Sequence, residues 1–240
     1  MKIKFSNKVK IATAFGLIAL VSIGGIFAYM TDRETAQNQF TVGKVDFNLY
    51  EENWDGELSD GTIATPSEAS PSDALGINQA KDMYADKIID KNPAIKNNSK
   101  NDAYLRMTVT VPVANIVTAL EDGTKSNGGV AQPTELFTYV ENPGTGMRRT
   151  ADSPSVKTGS DAKEYYVYEY EYVGDGDSEI PVPAGTDIPA LFDQVHFANV
   201  IEGEVDEDTE FINVDFKAIQ SGGFDSPEEA WAAYNNQNPS

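Results

Sequence analysis

Between Ala103 and Val111 the chain alternates without a break. Ala103, Leu105, Met107, Val109 and Val111 point one way, and Tyr104, Arg106, Thr108 and Thr110 the other. A period of two buries one face of an extended strand and leaves the other more polar. The same period returns at residues 40–49, with a slip at Gly43-Lys44 that reads as a bulge, and at residues 211–218. Residues 164–173 are the most β-prone stretch, with Tyr166, Tyr168, Tyr170 and Tyr172 as an aromatic stripe on one face. Shorter strands are expected at 87–91, at 136–140 and through 190–197. Helix signals are confined to the C-terminus, where Ser226 reads as an N-cap, Pro227 as the first helical residue and Glu229 as the capping-box acid. This helix is expected to run to about Asn235 and to pack Trp231 and Tyr234 on a sheet. The pattern predicts a mostly-β, jelly-roll-like antiparallel β-sandwich with long loops and a short C-terminal helix.

Composition limits what such a sandwich can do. The 240 residues carry 38 Asp and Glu against 18 Lys and Arg, a formal charge of -20, with one His and no Cys. That balance opposes nucleic-acid binding, which needs cationic surface. Without Cys there are no disulfides, thiolate metal sites or cysteine nucleophile. A single His excludes any site needing two imidazoles from one chain. Aromatic residues make up 10% of the chain, which favours a packed core over acidic disorder.

The N-terminus reads as an export signal. Lys2, Lys4, Lys8 and Lys10 precede an uncharged run over residues 11–28, and the first acid is Asp32. This is the layout of a secretory signal peptide, residues 1–28, cut between Ala28 and Tyr29. The alternative is an uncleaved anchor, for which about 17 apolar residues suffice. Gly24 and Gly25 weaken a helix there, so cleavage is the expectation. Removal takes away four Lys and no acid, leaving a mature charge of −24 on residues 29–240. Those residues are read as one β-sandwich domain with a mobile loop region at 52–85 and a Gly-, Pro- and Ser-rich loop at 141–164 that carries Arg148 and Arg149.

The residues around the cut resemble a known family. Phe27-Ala-Tyr-Met-Thr-Asp32, followed by Asn38-Gln-Phe40-Thr-Val-Gly43-Lys-Val45-Asp-Phe-Asn-Leu49, is similar to the N-terminal signature of the TasA/camelysin family. Asn92-Pro93, Asn98 and residues 101–106 look like its core block, and Pro183-Ala-Gly185, Leu191-Phe192 and residues 214–220 like its C-terminal strands. These are Gram-positive cell-surface and biofilm-matrix proteins, released by an ER-type signal peptidase. The resemblance implies a secreted jelly-roll subunit that polymerises with copies of itself and touches the membrane only before cleavage. An accessory fibre subunit is a further candidate partner. It also implies a donor segment at 29–40, represented by Tyr29, Met30, Thr31, Ala36, Asn38 and Phe40, that adds as a strand to the next copy. An open sheet edge has unpaired N–H and C=O groups for such a strand.

Other readings compete. Camelysins have been classed as metallopeptidases, yet the usual zinc motif needs two His and this chain has only His196. No catalytic residue is therefore assigned. The tyrosine stripe offers a stacking face for sugar rings, which would make the protein a glycan-binding adhesin. The plainer reading is a packed cross-strand ladder. Asp175, Asp177 and Glu179, and the acidic run 202–210, are candidate calcium loops without EF-hand spacing. No other cofactor is expected.

Overall fold

The alternation beginning at Ala103 runs on to Ile116, giving a strand of 14 residues that forms the spine of the fold. The structure, a computed structural model, describes residues 31–32, 45–63, 75–81, 83–205 and 212–238. Its elements are β1 (Thr31–Asp32), β2 (Phe47–Tyr50), α1 (Gly76–Gln79), β3 (Ile88–Asp90), β4 (Ala94–Asn97), β5 (Ala103–Ile116), β6 (Gln132–Glu135), β7 (Phe137–Tyr139), β8 (Met147–Arg149), β9 (Ser155–Thr158), β10 (Glu164–Tyr172), β11 (Asp187–Ile188), β12 (Gln194–Phe197), β13 (Asn213–Gln220) and α2 (Pro227–Gln237).

The largest sheet runs β1-β13-β5-β10-β8, every pair antiparallel. Val113 of β5 pairs with Glu164 of β10 and with Glu135 of β6. Strand β6 therefore lies on the β13 side of β5, beyond the point where β13 ends opposite Thr110. In the same way β8 and β9 share the far edge of β10. Two three-stranded sheets, β11-β4-β2 and β3-β12-β7, supply the second layer. The result is the expected mostly-β antiparallel sandwich with a short C-terminal helix.

Register explains the core. Met107 stands opposite Phe216 on one side and Tyr170 on the other, and Val109 opposite Val214 and Tyr168. Leu105, Met107, Val109, Phe216 and Tyr170 are all buried there with Phe47, Ile95, Phe192 and Val195 of the second layer. The Phe47 and Phe216 rings lie 6.1 Å apart across the layers. Each such side chain contributes about 1.5–3 kcal/mol through burial, and dispersion adds to that.

One end of the outer face is covered by the C-terminal helix. Tyr104 and Ile219 pack with Ala230, Trp231 and Tyr234 of α2. The helix starts where the sequence indicates, with Ser226 Oγ accepting from the Glu229 amide at 3.3 Å and the Glu229 carboxylate accepting from the Asp225 amide at 2.9 Å. Glu179 fastens it to the sheet, accepting from Trp231 Nε1 at 2.7 Å and from two N–H groups of Arg106 at 2.7 and 3.2 Å. The Arg106 guanidinium lies 4.7 Å over the Trp231 ring.

A buried ion pair joins the two small sheets. Glu51 follows β2, Lys91 follows β3, and Lys91 Nζ donates to both Glu51 oxygens at 2.6 and 2.9 Å. Both residues are buried, and the ammonium sits 4.7 Å from the Trp54 ring centre. Burial pushes the Glu51 carboxyl upward, and the attraction of Lys91 offsets part of that.

Short elements lie within both segments expected as loops. Within 52–85, Glu57 bridges to Ile63, and α1 docks through Gly76, whose amide donates to the Asn53 carbonyl at 2.8 Å. Residues 64–74 lie outside the described residues. Within 141–164, β8 and β9 are strands, so Arg148 and Arg149 stand on the sheet. Neither segment alternates clearly. Their pairing is dictated by the edge of β10, which has backbone groups to satisfy.

Candidate assembly surface

The outer edge of β13 is met by the N-terminal segment. Along its inner edge every residue from Asn213 to Gln220 faces β5. On the other side it meets β1, with Thr31 opposite Ile219 and Asp32 opposite Ala218. Among the described residues no strand lies along the outer edge from Asn213 to Lys217. Asn213, Asp215 and Lys217 are exposed. The opposite edge ends in β9, whose four residues are all exposed. Lys157 there is the kind of edge charge that discourages strand addition.

Of the anticipated donor residues, Thr31 lies in β1. Tyr29, Met30, Ala36, Asn38 and Phe40 lie outside the described residues, as do Ala28 and the whole segment 1–28. Among the described residues no helix is long and apolar enough to cross a membrane.

The tyrosine stripe turns inward. Tyr170 has no exposure at all, and its hydroxyl donates to Glu141 at 2.8 Å while accepting from Tyr139 at 2.8 Å. Arg149 donates to Glu141 and, at 3.2 Å, to the Tyr170 oxygen; its guanidinium also lies 4.5 Å over the Tyr168 ring. Tyr168 donates to Glu135. Burial is the largest cause holding the phenols of Tyr139, Tyr168 and Tyr170 above the ordinary tyrosine range, so all three keep their protons at neutral pH. A sugar platform needs an open ring face, and Tyr170 has none. Tyr168 and Tyr170 are hydrogen-bonded, and Tyr168 and Tyr172 pack against the core. Sequence reasoning had found the tyrosines but not Glu135 and Glu141, their carboxylate partners from distant strands.

Two carboxylates of the acidic loops engage protein groups. Glu179 is taken by Arg106 and Trp231, and the Asp177 carbonyl accepts from Arg148 at 2.5 Å. Glu204 accepts from the Val117 amide at 3.2 Å, while residues 206–210 lie outside the described residues. No group of three or more His, Asp or Glu able to hold a metal ion occurs among the described residues. Arg148 and Arg149 are paired within the chain to Glu171 and Glu141. His196 is half-exposed beside Asp86, its Nε2 2.7 Å from the carboxylate. A zinc peptidase site does not fit these residues.

Comparison with protein families matches residues 2–54 to the family described as camelysin metallo-endopeptidase. The match contains the basic and apolar N-terminal run and the signature around residues 27–49, and it ends just past β2. Comparison with the curated proteins and with the solved structures gives no match.

Proposed function

We propose that this chain, whose N-terminal region is that of the TasA/camelysin family, is a secreted structural subunit of extracellular or biofilm-matrix fibres on a Gram-positive cell. Signal peptidase cuts between Ala28 and Tyr29, and the freed residues 29–40 complete the sheet of an adjacent copy. The observation that supports this reading is the pairing of Thr31 and Asp32 with the edge of β13, backbone bonding that does not depend on which copy supplies the strand. Deleting residues 29–40 from the purified mature protein is expected to abolish filaments in electron micrographs while leaving the circular-dichroism spectrum and melting transition in place. Filaments that persist after the deletion overturn the mechanism.

Charge sets the conditions for assembly. Subunits of mature charge −24 repel at neutral pH and low salt. Assembly is therefore expected to rise with acid, with salt and with divalent cations, calcium included as a bridge between acidic surfaces. Light scattering that falls as calcium or acid is added contradicts this.

The reading assigns no catalysis, although the family description names a metallo-endopeptidase. The usual zinc motif needs two His on one helical face, and the chain has His196 alone, on β12. Casein incubated with the protein and added zinc is expected to remain intact. Cleavage that chelation removes would reinstate the peptidase.

A further inference from the structure

We propose that two copies of this chain pack face to face across the outer side of the largest sheet, with Lys157 of each copy against Glu169 of the other. The contact is separate from the strand addition above, because it uses side chains on a sheet face and leaves every backbone edge alone.

Register sets the side chains of this face in rows that cross the strands. The middle row runs Asn213, Thr110, Val167 and Ser155 through β13, β5, β10 and β9, and carries no charge. On the side nearer α2 lies a row of Asp215, Thr108 and Glu169. On the other side lie Pro112, Tyr165 and Lys157. These positions alternate with Val109, Val111, Phe216 and Tyr170, which are buried in the core, so they stand on the opposite surface. Asn213, Asp215, Ser155, Lys157 and Glu169 are exposed. Helix α2 packs farther along, on the row of Tyr104 and Ile219.

A two-fold axis along the middle row makes this pattern self-complementary. It turns the Asp215–Glu169 row of one copy onto the Tyr165–Lys157 row of the other, so Lys157 meets Glu169 once on each side of the axis. The uncharged middle row meets itself, with Thr110 and Val167 at its centre. The strands of the two copies run nearly antiparallel, an aligned packing common between sheets. Charge also favours this surface. On the next row, Arg106 and Arg148 are neutralised by Glu179 and Glu171. Lys157 and Lys217 then balance Asp215 and Glu169. On a chain of formal charge -20, a locally neutral face lets copies approach against less repulsion.

Neighbouring strands lie about 4.8 Å apart and same-face residues about 6.8 Å, so three rows over four strands cover roughly 400 Å² on each copy. A contact of that size is weak between free subunits. Repeated along a filament, such contacts act together and hold filaments side by side, a consequence that rests on the fibre reading above.

The test reverses one charge at a time in the mature protein. Glu169→Lys sets cation against cation across the axis, and Lys157→Glu sets acid against acid. Below the concentration at which filaments form, sedimentation of wild type is expected to show a weak monomer–dimer equilibrium. Each single variant is expected to weaken it about tenfold, and an equimolar mixture of the two to recover it. The double variant repeats the recovery within one chain, and circular dichroism checks that all three keep the fold. A wild-type protein that sediments only as monomer overturns the contact. So does a dimer that neither reversal weakens, which places the contact elsewhere. Filaments that bundle equally in wild type and single variants overturn the sideways role. A chain that never forms filaments overturns the fibre reading instead, while the mixing result still decides the face-to-face contact.

Discussion

Replacing Glu51 with Ala is expected to destabilise the fold by about 3–5 kcal/mol, the usual cost of leaving a buried charge without its partner. Lys91 keeps its place between the small sheets because its ammonium has two carboxylate contacts and the Trp54 face. The aromatic contact alone is worth about 0.5–2 kcal/mol and does not replace the carboxylate. Lys91→Ala is expected to cost a similar amount by stranding Glu51. Replacing both, Glu51→Leu with Lys91→Met, removes the charge problem and is expected to cost much less than the single changes summed. Urea denaturation of the four proteins measures this; a Glu51→Ala variant within 1 kcal/mol of wild type contradicts it. The pH dependence carries the same signature. The folded Glu51 carboxyl has a raised pKa, so the folded chain takes up its proton more readily than the unfolded chain. Its contribution therefore favours the fold below the ordinary carboxylate range and weakens as pH rises through the folded value. Glu51→Gln is expected to flatten that part of the stability profile.

Gly76→Ala is the second large effect. At an exposed helical position Ala is better than Gly by about 1 kcal/mol. Here a Cβ would sit 1.9 Å from the Asp90 carbonyl oxygen and 2.6 Å from Trp54 Cε3. The first obstacle is backbone of β3, which cannot swing aside as a side-chain end can. Overpacking of this kind costs about 1–3 kcal/mol and sometimes more, so sterics outweigh propensity. The expected outcome is a net loss of about 2 kcal/mol, with α1 displaced from β3 and faster amide exchange at Asn78, Gln79 and Ala80. The Trp54 ring, which faces both Gly76 and Lys91, should change its fluorescence in this variant. A melting temperature equal to or above that of wild type would show that α1 does not pack as described.

Much of the fold was legible because its central strands are long and half-buried. Residues 103–111 and 164–172 alternate over four or more cycles, and the C-terminal cap residues each have a defined hydrogen-bonding task, so β5, β10 and α2 appear where the pattern puts them. Strands of three or four residues such as β8 and β9 are not legible that way. Their pairing is decided by β10, not by an apolar period of their own. Strand β4 was missed for another reason. It ends in Asn97, whose amide group reads as a turn signal, yet Asn97 is fully buried, donating to the Val182 and Pro183 carbonyls at 3.0 and 3.2 Å and accepting from the Ser99 amide at 2.9 Å. The tyrosine stripe was found in sequence, but its direction depends on which neighbours cover it. The placing of β13 between β5 and β1 was not visible at all, because sheet order does not follow from the residues of β13.

Sheet order also bears on how quickly the domain can form. Strand β5 pairs with β13, so Ala103 must find Gln220 and Thr110 must find Asn213, partners more than a hundred positions away. Contacts that distant cost loop-closure entropy before they return any bonding, which places folding toward the millisecond-to-second end of the range for single domains. The partner strand follows β5 in the chain and is made after it. Until it emerges, the side of β5 that pairs with β13 has no partner, and the apolar face of the main sheet stays incomplete. A chain built this way stays without its central β5–β13 pairing until that strand arrives, and its main sheet closes only after β13 has been made.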